Sequence, residues 1–300
     1  KSDGNVLTIT QPGVFAVSGK CAEGQIVVDV DKTAYPTGVV ELDLMGAELT
    51  NSSTSPIYVN SIGDEVQIVA KSGTENVISD GTSHNQTYTD SDGNVNTVEG
   101  AVFSRDDLKF KGTGSLTING NTDDAVVCKN DLKIYNGNIT INAADDGLRG
   151  KDSVTVGNSA DTDFSALNLT VNTKSGDGIK STAVDTATAD KSYGVVTING
   201  GTVNINSYAD GIQGEQDVVI NGGDINIYTY EGSSFTGSGS SSSNPWNPWG
   251  GGGMQDGNSN KTDISAKGIK AVGLYDAAGT TWQSGGNITV NGGNITVDSS

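Results

Sequence analysis

Carboxylates recur at fixed positions of a phrase that repeats along the later part of the chain. One column holds Asp124, Asp146, Asp177 and Asp210, and the neighbouring column holds Glu99, Asp123 and Asp145. In stacked parallel strands, equivalent carboxylates would lie about 4.8 Å apart and would repel by about 3 kcal/mol at an effective dielectric constant of about 20. Calcium binds clustered carboxylates together with backbone carbonyls. The columns therefore predict calcium as a cofactor, with Asp123, Asp124, Asp145, Asp146, Asp177 and Asp210 as its ligands and Glu99 as a further candidate. The alternative is that Asp-Gly merely forms turns, with its carboxylates in solvent.

A second acidic stretch, residues 90–96, spaces its oxygens like the start of a calcium loop. It lacks the glycine at the sixth position and the glutamate at the twelfth, so it is not an EF-hand. Asp90 and Asp92 are further candidate ligands, and a plain surface loop is the alternative.

A cationic column follows the acidic one. One residue after the apolar position of each phrase stand Val127, Arg149, Lys180, Gln213 and Lys270. Such cations can neutralise neighbouring carboxylates or bind a ligand carboxylate.

Internal repeats must position these columns. The phrase recurs as residues 99–108, 123–132, 145–151, 176–181, 209–214 and 266–271. A second phrase, rich in alternating Val, Ile, Asn and Thr, recurs as residues 196–205, 219–227 and 288–297. Each repeat therefore contains about three short strands, with Ile198, Val203, Ile205, Ile220, Ile225 and Ile227 on one face.

A single repeat cannot bury its apolar face, whereas stacked repeats share a continuous core. The sequence thus predicts an all-β, right-handed, single-stranded parallel β-helix. A β-sandwich is the competing all-β fold, but it would not return to the same phrase after every turn. We predict one domain over 1–300, with N-terminal coils and a cap in 1–98, Asp-Gly coils in 99–300, and a flexible Gly/Ser/Trp insertion at 232–260.

Composition excludes some partners. Acidic residues outnumber basic ones by 36 to 17, for a net charge of −19, so nucleic acid and anionic membranes would be repelled. No apolar run is long enough to span a bilayer, and we expect a monomer. Asn-X-Thr sequons lie inside predicted strands, which favours bacterial export to the cell surface or the extracellular medium.

Taken together, these phrases resemble a family of bacterial β-helix proteins that bind carbohydrate and calcium. That family is similar to pectate lyases in fold and binds cellulose and acidic sugars. The segments that carry the likeness are residues 9–15, 24–30, 103–108, 145–151 and 265–270. The resemblance covers nearly the whole chain, and it implies a function in binding plant cell-wall polysaccharide (cellulose, acidic pectin-type sugars or both) with bound calcium.

The resemblance also suggests roles for individual residues. Arg149 and Lys180 would bind sugar carboxylates, or would act as the base if the protein were a calcium-dependent polysaccharide lyase. Exposed rings can stack on sugars, so the other carbohydrate-binding candidates are Tyr208, Tyr230, Trp246 and Trp249. His84, the only histidine, is expected to lie in a polar loop without a role. A structural or adhesion solenoid is the third possibility.

Overall fold

Runs of alternating Val or Ile with Asn or Thr form strands throughout the protein. The computed structural model describes residues 2–183, 193–234, 266–275 and 282–299. The strands of the first part are β1 (Ser2–Asp3), β2 (Val6–Ile9), β3 (Gly13–Cys21), β4 (Gln25–Asp29), β5 (Val40–Asn51), β6 (Ile57–Ser61), β7 (Glu65–Ala70), β8 (Glu75–Asp80), β9 (Thr87–Thr89) and β10 (Val95–Thr97). Those of the middle part are β11 (Val102–Ser104), β12 (Asp107–Gly112), β13 (Ser115–Gly120), β14 (Val126–Cys128), β15 (Asp131–Ile134), β16 (Gly137–Ala143), β17 (Leu148–Gly150), β18 (Ser153–Val156), β19 (Leu167–Thr173) and β20 (Ile179–Ser181). The remaining strands are β21 (Val195–Ile198), β22 (Thr202–Ser207), β23 (Ile212–Gly214), β24 (Asp217–Ile220), β25 (Asp224–Thr229), β26 (Ile269–Ala271), β27 (Leu274–Tyr275), β28 (Trp282–Ser284), β29 (Ile288–Val290) and β30 (Asn294–Asp298), and a short 3-10 helix follows β25 at Gly232–Ser234.

The strands wind into a solenoid with three faces. Face one is the ten-stranded sheet β1-β2-β4-β6-β11-β14-β17-β20-β23-β26. Faces two and three are the two limbs of a larger sheet: β29-β24-β21-β18-β15-β12-β7 and β8-β13-β16-β19-β22-β25-β30. The long strand β5 joins the limbs, because it pairs with β7 in its first half and with β8 in its second. Each coil thus contributes one strand to each face, and the predicted parallel β-helix is confirmed. Right-handed winding stays a prediction from the rule for parallel crossovers.

The core is a set of apolar stacks that run along the solenoid. On face one, Val102, Val126, Leu148, Ile179 and Ile212 occupy equivalent positions of consecutive coils, and all are fully buried. On face three, the predicted inward residues Val203 and Ile205 stack on Ile225 and Ile227. Burying one such side chain contributes about 1.5–3 kcal/mol, so the repeated stacks supply the driving force for coiling.

Strands of residues 1–98 extend the same sheets. Strands β2, β4 and β6 pair in parallel and lead into β11 of the repeats. At the start, β1 pairs antiparallel with β2, and this reversal ends the parallel order of face one. The described residues contain no helix long and apolar enough to cross a membrane. The predicted insertion at 232–260 lies outside the described residues after Ser234.

The glycine of the Asp-Gly phrase allows successive coils to approach closely. A Cβ added to Gly178 would lie 2.4 Å from Ile205 Cγ2 and 2.6 Å from the carbonyl oxygen of Gly211 in the next coil. We expect Gly178→Ala to lower the free energy of unfolding by about 2 kcal/mol, because overpacking forces the coils apart. Gly222→Ala is the control, since its nearest contact would be at 3.1 Å. Urea denaturation measures both, and equal losses would show that close packing at Gly178 is not the cause.

Candidate functional site

Aspartates of the repeated phrase form a buried ladder at the turn that enters face one. The Oδ1 atom of Asp124 accepts the backbone N–H of Asp146 at 2.9 Å, and that of Asp146 accepts the N–H of Asp177 at 2.7 Å. In the same way, Asp177 Oδ1 accepts the N–H of Asp210 at 2.8 Å, and Asp210 Oδ1 accepts the N–H of Lys267 at 2.8 Å. Each carboxylate therefore ties its coil to the next one by a charge-assisted hydrogen bond.

The second oxygen of each ladder aspartate faces a cation. Asp124 Oδ2 lies 2.6 Å from Arg149 Nε, and Asp177 Oδ2 lies 2.8 Å from Lys180 Nζ, which is also 3.5 Å from Asp146 Oδ2. In the last copy, Lys270 Nζ lies 2.9 Å from Asp210 Oδ2. Three cations therefore lie against the four ladder aspartates, and they offset part of the repulsion along the ladder.

Both oxygens of every ladder aspartate thus have a partner, and for Asp124 these are the N–H of Asp146 and the guanidinium of Arg149. Proximity to further carboxylates, and not this pairing, distinguishes the predicted metal ligands. Within the described residues, one group of acidic side chains is close enough to share a cation: Asp123, Asp124 and Asp145, whose ligand oxygens lie within 4.8 Å of one another. We call these three residues the acid cluster. Of the doubled aspartates, both residues of the first pair and Asp145 of the second belong to it, whereas Asp146 and the single aspartates of later coils do not.

Electrostatics of the acid cluster favour a bound positive charge. Burial, followed by the nearby carboxylates of Glu99 and Asp145, raises the pKa of Asp123. Burial raises the pKa of Asp124 to about 7, although the guanidinium of Arg149 opposes this shift. Raised carboxyl pKa values mean that ionisation is costly there, and a hard cation with oxygen ligands would remove that cost.

The other acidic candidates lie beside the cluster or apart from it. Glu99 Oε2 pairs with Arg149 Nη2, so it borders the cluster through that guanidinium. The Asp90 carboxylate turns into its own loop and accepts four hydrogen bonds, two from backbone N–H groups and two from the side chains of Asn94 and Asn96. These bonds lower the pKa of Asp90. Asp92 lies in the same surface loop, and neither residue belongs to the acid cluster.

Arg149 and Lys180 are poorly suited to act as bases. Burial by itself lowers the pKa of Arg149, but Asp124 and Glu99 raise it above its ordinary value. Burial likewise lowers the pKa of Lys180, and Asp146 and Asp177 more than offset this effect. The paired carboxylates thus favour the protonated form of both side chains, which opposes action as a base.

A second row of cations was not anticipated from the sequence. Three successive face-one strands are each followed by a cation: Arg105, Lys129 and Lys151. The strands end at Ser104, Cys128 and Gly150, which pair in register. We call these three residues the basic row. The repeat alignment contained the signal, because the position after the small residue is basic in three successive copies.

His84 is not an incidental loop residue. Its Nε2 atom lies 3.0 Å from Asp80 Oδ2, and both side chains are almost completely buried. The other ring nitrogen, Nδ1, lies 2.8 Å from the carbonyl oxygen of Val98. Burial lowers the pKa of His84, but the contacts with Asp80 and Val98 raise it above its ordinary value overall. The pair therefore ties the end of β8 to the segment that leads into face one.

Face three carries rows of uncharged polar side chains. Its outward columns are Ser115-Asn138-Asn168-Thr202-Asp224-Asn294, Thr117-Thr140-Thr170-Asn204-Asn226-Thr296 and Asn119-Asn142-Asn172-Asn206-Tyr228-Asp298. Asn142 donates to Asn119 at 2.9 Å and Asn172 donates to Asn142 at 2.9 Å. Each amide has two N–H groups and two acceptor lone pairs, so such a ladder leaves donors and acceptors for a ligand.

Tyrosines lie at the edge of face three. A groove of about 290 Å³ is lined by Asn172, Asn204, Asn206 and Tyr228, among others. Tyr228 is 40% exposed. The predicted pair Tyr208 and Tyr230 meets edge to face, with ring centroids 5.1 Å apart. Trp246 and Trp249 lie outside the described residues.

Comparisons with known proteins agree with this architecture. The model of the family described as carbohydrate-binding domain-containing proteins matches residues 3–300. A protein of that description from Acetivibrio thermocellus is 38% identical over 137 residues, which span 46% of this chain and 45% of the relative. The matched region is thus about half of that relative.

A solved structure is similar over most of its length. It is a gadolinium derivative of the polysaccharide lyase-like protein from C. thermocellum, with a TM-score of 0.64 and 27% identity over 98% of this chain and 89% of that chain. With the family match spanning almost every residue, the chain belongs to the family of carbohydrate-binding domain-containing proteins.

Proposed function

We propose that this protein binds plant cell-wall polysaccharide outside the bacterial cell or at its surface, and that calcium held by the acid cluster contacts acidic sugars. The observation that carries the proposal is the convergence of Asp123, Asp124 and Asp145 within 4.8 Å. These three side chains offer only oxygen donors, which suit calcium. A carboxylate of the glycan would complete the coordination of the ion.

The relatives support this proposal in two ways. Membership of the carbohydrate-binding family makes a polysaccharide the expected partner. The similar solved structure is a gadolinium derivative, and gadolinium, like calcium, is a hard cation that takes oxygen ligands. A protein of the same fold is therefore known in a form prepared with such an ion.

Face three is the surface that suits a neutral glycan such as cellulose. From β13 to β30 its outward columns carry two charged residues, Asp224 and Asp298, and the neighbouring β8 adds Glu75, in a chain of net charge −19. Amide and hydroxyl rows can hydrogen-bond to sugar hydroxyls, and the exposed Tyr228 ring offers an apolar platform. We propose two binding surfaces, with acidic sugars on face one and neutral chains on face three.

The test compares two polysaccharides and two variants. Pull-down on polygalacturonate should require calcium, and Asp145→Asn should reduce it about tenfold, as expected for one lost charged contact. Asp64→Asn, at an exposed acidic residue outside the cluster, is the control. Cellulose binding should persist with chelator and fall with Tyr228→Ala.

Three outcomes would count against this function. Equal binding of polygalacturonate with calcium and with chelator would remove the metal role. Absence of binding to both polysaccharides would favour an inert structural solenoid. Growth of an unsaturated-product absorbance would establish the lyase alternative, in which Arg149 or Lys180 would have to lose its proton to act as the base.

A further inference from the structure

The basic row runs across three successive coils at the end of their face-one strands. Ser104, Cys128 and Gly150 pair in parallel register, so the Arg105, Lys129 and Lys151 backbones that follow repeat at about the 4.8 Å strand spacing. No other run of three consecutive repeat copies within the described residues places a cation at the same position. In a chain with a net charge of −19, this local concentration of positive charge is exceptional.

Two members of the basic row, Arg105 and Lys129, lie against aromatic rings. The guanidinium of Arg105 lies 5.3 Å from the centroid of the Tyr88 ring and donates to Asn60 Oδ1 at 3.0 Å. Lys129 Nζ lies 5.6 Å from the centroid of the Phe103 ring. Arg149 and Lys180 differ from these residues, because their charges are engaged by the aspartate ladder.

The third member of the row is open to solvent. The Lys151 side chain is 59% exposed, and its Nζ atom lies 4.0 Å from Asp152 Oδ1. At such exposure an ion pair at this distance contributes little. The ammonium group is therefore available to an external anion.

A groove gives a ligand access to the whole row. It has a volume of about 400 Å³ and lies between the row and the hairpin of β9 and β10, and it is lined by Tyr88, Asp90, Ser91, Asp92, Arg105, Lys129, Asn130 and Lys151. The hairpin also brings two carboxylates to the groove, but that of Asp90 is turned into its own loop by four hydrogen bonds. A smaller groove of about 160 Å³, lined in part by Lys129, Arg149 and Lys151, continues along the same face.

We infer that Arg105, Lys129 and Lys151 form a binding site for the carboxylate groups of an acidic polysaccharide. The inference rests on the proposed function and deepens it, since it assigns the uronate-type carboxylates to cations that lie outside the aspartate ladder and beside an open groove. Guanidinium and ammonium groups form charge-assisted hydrogen bonds with carboxylates, and the aromatic rings beneath them fix their positions. Burial, followed by the nearby charge of Arg149, lowers the pKa of Lys129, and the carboxylates of Glu99 and Asp124 oppose this shift.

The test measures the affinity of calcium-loaded protein for an oligogalacturonate by calorimetry. Exposed charge pairs contribute about threefold each, so the triple variant Arg105→Gln/Lys129→Gln/Lys151→Gln should bind about 30-fold more weakly. Lys20→Gln/Lys71→Gln/Lys174→Gln removes the same charge elsewhere on the surface and should change affinity by less than about threefold. Because replacing the half-buried Lys129 can disturb folding, Lys151→Gln alone, at an exposed position, provides a variant that should keep the wild-type melting temperature while losing about threefold.

The outcomes separate this inference from the proposed function. If both triple variants lose affinity equally, net charge and not the basic row attracts the glycan, and the inference is overturned. Unchanged binding by the basic-row variant, together with a loss in Asp145→Asn, would leave the calcium site standing without the basic row. If the wild-type protein itself does not bind oligogalacturonate in calcium, both proposals fall. Loss of binding by the basic-row variants with intact calcium binding supports the inference.

Discussion

Arg149→Ala is expected to lower the free energy of unfolding by about 3 kcal/mol at pH 8, because it leaves the buried Asp124 carboxylate without its cation. Asp124 is 1% exposed, and its Oδ2 atom lies 2.6 Å from Arg149 Nε. Burial already raises the pKa of Asp124 to about 7 in the intact protein. Loss of the guanidinium would raise it further, so ionisation above neutral pH would become more costly.

The same substitution should be milder at pH 5. A carboxyl group whose pKa is higher in the folded state than in the unfolded state binds its proton more tightly when folded. Its favourable contribution is complete below the unfolded pKa near 3.8 and is lost as pH rises through the folded value near 7. At pH 5 the folded carboxyl is mostly protonated, so removal of Arg149 should cost about 1 kcal/mol or less.

Urea denaturation of Arg149→Ala at both pH values checks this expectation. The double variant Arg149→Ala/Asp124→Asn should recover much of the stability at pH 8, because asparagine retains an oxygen for the backbone N–H of Asp146. Lys20→Ala, which breaks an exposed pair with Glu48, should change stability by less than about 0.5 kcal/mol. An equal loss at pH 5 and pH 8 would refute the explanation by an unpaired buried charge.

Calcium affinity is expected to fall about 100-fold between pH 8 and pH 5. A metal ion displaces the proton from any ligand carboxyl that it binds. With the pKa of Asp124 near 7, affinity should drop about tenfold for each pH unit below that value. Calorimetry in two buffers with different ionisation enthalpies should detect release of about one proton per calcium ion at pH 6.

Two further measurements make the calcium prediction specific. Asp124→Asn should retain weak binding through Asp123 and Asp145 and should lose most of the pH dependence. Calcium at about 100 times its dissociation constant should stabilise the wild-type protein by about 2.7 kcal/mol, and chelation should reverse this. An affinity that does not change from pH 5 to pH 8 would show that Asp124 is not a ligand.

The sequence was sufficient to predict the solenoid. The Asp-Gly and Asn-Gly-Gly phrases recur at nearly constant intervals, and apolar residues such as Ile198, Ile205 and Ile227 alternate with polar ones. Alternation assigns each side chain to the inside or the outside of a strand, and recurrence brings equivalent positions into register. The repeats therefore place the acidic residues, and likewise the cationic ones, at equivalent positions of successive coils.

The partners within those columns depend on the tertiary structure. Repeat alignment treats Asp124, Asp146, Asp177 and Asp210 as equivalent, yet only Asp124 belongs to the acid cluster. The difference arises because Asp124 lies beside two acidic residues of the neighbouring column, Asp123 and Asp145. That column continues with Gly176 and Ala209 in the later coils. Side-chain reach across coils is not encoded in strand periodicity.

Packing between segments also determines the contacts of other charged residues. The Arg105–Tyr88 contact joins a repeat coil to a hairpin outside the repeats, and the contact of His84 with the carbonyl oxygen of Val98 joins the end of β8 to the segment before β11. Such contacts connect segments of unrelated sequence, so no repeat pattern could predict them. The sequence alone determined which positions stack, because period and register follow from local alternation. The tertiary structure alone decided which charges are paired and which face a ligand, because that depends on distances between side chains from different coils and loops.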